Sequence, residues 1–163
     1  MGEVTYVNKQ PWGLVGSITA SKAALGTTGR KASDVAAFTA GSYALWEVPL
    51  RINTAEIKFS TTTDLDAQVV NVYAARGNSD YVFVATLTLV GGAQTGPNSN
   101  VYVDTIDGGD TQRWKANSIE VINGASADHI ARWRIDLDGY SRLLFIATTL
   151  VTSSTLRIEG SGV

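Results

Sequence analysis

Covalent and proton-transfer catalysis require a positioned His, Cys, Lys or carboxylate pair, and this chain offers little of that kind. Its 163 residues contain one histidine and no cysteine. His129 follows Asp128, and neighbours on an extended chain point their side chains apart. No Gly-x-Ser-x-Gly elbow is present. His129 therefore reads as a surface loop residue, and neither a catalytic residue nor a cofactor is expected. Two acidic groups could offer oxygens to Ca²⁺, which takes about six to eight of them. Asp104, Asp107 and Asp110 surround Gly108-Gly109, and Asp136-Leu137-Asp138-Gly139 imitates the opening of a calcium loop. The second lacks the later carboxylates of such a loop and is already explained as a turn. The first is weighed as a calcium loop against a solvated one, and the expectation is no metal.

Aromatic and arginine side chains are the remaining candidates, and their chemistry is contact rather than catalysis. Trp46 and Trp133 fall on the apolar faces of alternating segments and read as core. Trp114, between Arg113 and Lys115, reads as an exposed sugar-stacking platform or as an interface anchor, since Trp and Arg are enriched at binding hot spots. Arg132 and Arg134 share one face of an alternating segment with Asp136, which favours cross-strand ion pairs or a subunit contact over phosphate binding. Trp12 and Leu14, just after Pro11, are anchors available to the N-terminal segment. The interface candidates are thus Trp12, Leu14, Arg113, Trp114, Arg132 and Arg134.

The elements that must position these residues are strands. Residues 130–137 alternate, with Ala131, Trp133, Ile135 and Leu137 on one face and Arg132, Arg134 and Asp136 on the other, which is the period of a half-buried strand. Asp138-Gly139 is a tight-turn dipeptide. Residues 143–151 are apolar on both faces, as in a central strand, and 155–159 form a short last strand. The expectation is that these three consecutive strands are neighbours at the centre of one sheet. Residues 43–48, 55–60, 67–75, 81–90, 101–106 and 118–122 complete the set, with 81–90 also reading as central. Eight or nine strands at even spacing predict an all-β, two-layer antiparallel sandwich, jelly-roll-like. Residues 1–42 differ, being rich in Ala, Gly, Ser, Thr and Lys. Their two readings are an extended N-terminal arm, ordered against a neighbour, and an ordinary first strand plus loop packed on its own domain. The division adopted is arm 1–42 and sandwich 43–163, with Ser33 or Asp34 capping one helical turn near 33–38.

Composition narrows the function classes. Charged residues are 17% and the net charge is −2, which gives no argument for nucleic acid or an anionic membrane. No apolar run approaches the ~20 residues of a membrane-spanning helix, and residues 1–6 carry no visible signal-peptide pattern. Lys9, Lys22, Arg30 and Lys31 against Glu3 and Asp34 leave +2 on residues 1–42 and −4 on the rest.

The Ala/Ser/Thr/Gly-rich stretch 15–42, together with Asp138-Gly139-Tyr140-Ser141-Arg142-Leu143-Leu144-Phe145-Ile146, in which a Gly-Tyr-x-Arg turn feeds a buried strand, resembles virion structural proteins of tailed bacteriophages. Decoration, fibre-base and head-completion proteins are the types in view. The resemblance implies a virion location, no enzymatic activity and self-association, commonly as trimers or higher rings. It also implies binding to other virion proteins such as major capsid or tail proteins. The alternative is a carbohydrate-binding or host-recognition module on a jelly-roll fold.

Overall fold

Alternation with a period of two gives each strand an apolar face to bury, and two sheets of such strands can only hide those faces against each other. The computed structural model describes residues 12–26, 30–49, 52–61, 68–89, 116–123, 129–137, 139–151 and 153–162. Among them are nine strands and one helical turn: β1 (Gly13–Ile18), α1 (Ala32–Ala36), β2 (Ala44–Glu47), β3 (Thr54–Thr61), β4 (Gln68–Ala75), β5 (Val82–Leu89), β6 (Ala116–Asn123), β7 (His129–Asp136), β8 (Arg142–Thr149) and β9 (Leu156–Gly162). They form a five-stranded sheet ordered β1-β9-β3-β7-β6 and a four-stranded sheet ordered β2-β8-β4-β5. Every described pairing is antiparallel. The fold is an all-β sandwich.

The main core lies between the sheets. Ala55, Ile57 and Phe59 of β3, Trp133 and Ile135 of β7, and Leu156 and Ile158 of β9 meet Val70, Val72, Leu143 and Phe145 from the opposite sheet. Phe59 and Phe145 touch edge to face across this layer, with ring centroids 6.1 Å apart. On β9 the inward positions after Ile158 are Gly160 and Gly162. A Cβ on Gly160 would stand 2.7 Å from Trp46 Cζ2, so the indole of Trp46 occupies the volume a side chain would need. Where β1 and β2 close one edge of the sandwich, Gly16 lies 3.0 Å, in the same sense, from the Ala44 methyl.

The three consecutive strands β7, β8 and β9 are not neighbours. β7 and β9 flank β3 in the five-stranded sheet, while β8 lies in the other, between β2 and β4. The turn at Gly139 (φ +76°) therefore carries the chain from one sheet to the other rather than closing a hairpin. Nor is β5 central: it ends the four-stranded sheet among the described residues. Its two apolar faces, and those of β4 and β8, have a different cause. Tyr73, Ala75, Tyr81, Phe83, Leu144 and Ile146 face away from the main core and form a second cluster with Val35, under Leu25, Phe38, Tyr43 and Leu45. Residues 22–26 and 30–43 cover this outer face.

Residues 12–26 and 30–42 accordingly run along the sandwich as a first strand and packed loop segments. β1 pairs with β9, and Ile18 is fully buried in the main core. The Lys22 amide donates to the Ala147 carbonyl at 2.9 Å, the Leu25 amide to the Tyr73 hydroxyl at 2.9 Å, and the Tyr81 amide to the Arg30 carbonyl at 2.8 Å. α1 begins at Ala32, with Lys31 as its cap residue rather than Ser33 or Asp34. Asp34 sits three residues on and its carboxylate accepts the Lys31 amide at 3.0 Å, satisfying a donor that the helix start leaves open. The strand expected over 101–106 lies outside the described residues.

Candidate functional site

Antiparallel pairing brings together side chains far apart in sequence when their positions share a face. Lys58 of β3 and Arg132 of β7 are direct register partners, as are Glu56 and Arg134. Lys58 is likewise opposite Glu159 of β9, and Glu159 is opposite Leu14 of β1. All six positions point away from the core, so one row crosses the outer face of the five-stranded sheet from its β1 edge to β7.

Trp12 lies on this row, just before β1. Lys58 Nζ is 5.3 Å and Arg132 Cζ 5.6 Å from its ring centroid, within the range of a cation–π contact, worth ~0.5–1 kcal/mol each at a partly exposed site. Trp12 is half-buried by these stems, and Leu14 beside it is 61% exposed. Leu14 is the one large hydrophobic residue so exposed among the described residues.

The ion pairs on the face are asymmetric. Lys58 Nζ meets Glu159 Oε2 at 2.6 Å, Arg157 Nη2 meets Glu159 Oε1 at 3.4 Å, and Arg134 Nη2 meets Glu56 Oε1 at 2.7 Å. The hydrogen bond from Lys58, with the charges of Lys58 and Arg157, holds the Glu159 carboxyl below its ordinary range against the opposing effect of partial burial. The carboxylates are recessed, Glu159 being 15% and Glu56 21% exposed, while the guanidinium side chains of Arg134 and Arg157 stand 53% and 54% exposed. A partner approaching this face thus meets guanidinium forks first, around a fixed indole and an open leucine.

Of the interface candidates, Trp12, Leu14, Arg132 and Arg134 are brought onto one surface. Arg113 and Trp114 lie outside the described residues, as do Asp104, Asp107, Asp110, Asp128 and Asp138. Arg134 pairs with Glu56 across the strands, and Arg132 lies against the Trp12 ring. Lys58, Glu159 and Arg157 were missed as members, because β3 meets β7 and β9 only through pairings between residues remote in sequence. Trp133 is buried as expected, and Trp46 is partly buried against the main core. His129 opens β7 rather than lying in a loop before it.

Among the described residues no group of His, Cys, Asp or Glu is arranged to hold a metal ion, and no helix is long and apolar enough to cross a membrane. No protein-family model matches this chain, and no curated protein or solved structure proved significantly similar to it.

Proposed function

We propose that this chain is a non-enzymatic structural protein of a virion, of the tailed-bacteriophage kind, that self-associates and attaches to a capsid or tail surface. The observation that carries the reading is the convergence of Trp12, Leu14, Arg132 and Arg134 on one outer sheet face, with carboxylates recessed beneath exposed guanidinium groups. Aromatic and arginine side chains of this kind are the anchors that protein interfaces use. The interleaving of the strands supports it as well. Setting β6 aside, the orders β1-β9-β3-β7 and β2-β8-β4-β5 are read here as a jelly roll, an architecture shared by capsid and lectin domains. That likeness is one of fold, and function rests on the face itself.

Attachment follows from the same asymmetry. The chain has a net charge of −2, yet this face presents cations, so it suits an acidic surface on a neighbouring copy or another virion protein. The competing reading, a carbohydrate-binding module, draws on the same half-buried indole, since a ring fixed on two cations is also a stacking platform. Light scattering on the full chain separates them. A native mass of several times 17.3 kDa, falling as salt is raised, supports the structural reading. A monomer whose Trp12 fluorescence shifts on titration with oligosaccharides supports the other.

A further inference from the structure

Resting on self-association as read above, we infer that the N-terminal unit, residues 12–41, is exchanged between copies, so that β1 and the cover over the four-stranded sheet are supplied to each sandwich by a neighbour. The unit is closed on itself. The amides of Thr19 and Ala20 both donate to the Gly41 carbonyl, at 2.8 and 3.1 Å, tying the end of β1 to the end of the cover. Its docking contacts reach elements remote in sequence: β1 lies on β9, Lys22 bonds Ala147, Leu25 bonds the Tyr73 hydroxyl, and Val35 sits among Tyr81, Phe83, Leu144 and Ile146. A single stretch of chain after Gly41 joins the unit to β2. Gly41 has φ +81°, a conformation that glycine adopts without penalty, which makes this junction suited to redirect the chain.

Each docking contact can be reproduced unchanged when the unit belongs to another copy, which is the condition for exchange at low cost. The unit carries Lys22, Arg30 and Lys31 against Asp34, leaving +2, and the remainder of the chain −4; the attraction is as well satisfied by a neighbouring body as by its own. Connectivity favours a chain's own unit in dilute solution. Within an assembly, neighbours sit at effective concentrations on the order of millimolar, comparable with those a short tether provides, and that advantage is lost.

The absence of cysteine allows a direct test. Ser17 of β1 and Arg157 of β9 are register partners, both exposed. The double variant Ser17→Cys/Arg157→Cys is assembled, oxidised, denatured and sized on a non-reducing gel, with bis-maleimidoethane replacing the oxidant if no disulfide forms. Ser60→Cys/Arg157→Cys, joining β3 to β9 within the body, serves as the intrachain reference. Exchange predicts covalent dimers or larger species from the first variant, collapsing to monomer on cleavage of the disulfide, and monomer alone from the second. Intrachain cross-links alone from an assembled sample, or interchain products from both variants alike, overturn the exchange and leave self-association standing. A parent chain, with Arg157 intact, that is monomeric by light scattering removes both.

Discussion

The two outer faces of this sandwich solve the same problem in opposite ways. On the five-stranded sheet the outward positions include Glu56, Lys58, Arg134, Arg157 and Glu159, which pair with one another, and Arg132, which lies against Trp12, with Leu14 open at the surface. On the four-stranded sheet they include Tyr73, Phe83, Leu144 and Ile146, all buried because Leu25, Val35, Phe38 and Tyr43 lie across them. Burial of such side chains contributes ~1.5–3 kcal/mol each relative to exposure, whereas surface ion pairs contribute ~0–1 kcal/mol. One outer face therefore serves stability and lies beneath the N-terminal cover. The other contributes little to stability and is the proposed assembly face.

Substitutions can break or sharpen that contrast. The largest loss is expected in the core that both sheets share: Phe145→Ala should cost about 3–5 kcal/mol in denaturant unfolding, and a cost below about 1 kcal/mol would mean that β8 does not lie at the centre. On the covered face Leu144→Ala should cost about 2–4 kcal/mol, close to a core position. A surface-like value there, within about 0.5 kcal/mol, would show that the N-terminal cover does not seal the face. Gly160→Ala forces a methyl against the Trp46 indole and should destabilise by about 1–3 kcal/mol, with a blue or red shift in tryptophan emission marking the displaced ring.

The exposed face should respond to pH and charge, and only weakly to truncation. The hydrogen bond from Lys58 holds the Glu159 carboxyl below its ordinary range in the folded chain. Its ion pairs therefore stabilise the fold above the unfolded carboxyl's pKa of about 4.3, and that contribution is lost as pH falls through the lower folded value. Carboxyl NMR titration should show the low value, and Lys58→Gln should raise it; an unchanged midpoint would mean that Lys58 is not its main partner. Smallest of all, Arg134→Ala should change stability by no more than about 1 kcal/mol, because the pair with Glu56 is exposed.

How much of this contrast was legible in the sequence depended on distance along the chain. The alternation of 130–137 and 55–60 located β7 and β3 and gave their inward and outward residues, since periodicity is a local property. Apolar residues on both faces of 81–90 and 143–151 correctly signalled double burial, yet for β5 the cause was a covering segment and not a central position. The run of small and polar residues in 15–42 left a first strand as only one of two readings, because glycine is a poor strand former on its own, although Gly16 is needed where β1 closes against Ala44 of β2. Pairing between sheets was misjudged because Asp138-Gly139 signals a turn without saying whether it closes a hairpin or crosses to the other layer. Trp12 was recognised as an anchor, but not its seat on Lys58 and Arg132, which the β3–β7 register alone creates.

The central claim is that the face carrying Trp12 and Leu14 is the assembly surface, and multi-angle light scattering on paired variants tests it most directly. Leu14→Asp, on the open face, is compared with Ser33→Asp, an exposed position on α1 over the other sheet, after both are shown to melt within a few degrees of the parent chain. The expected result is an oligomer for the parent and for Ser33→Asp, and a 17.3 kDa monomer for Leu14→Asp. An oligomer of unchanged mass for Leu14→Asp would contradict the claim.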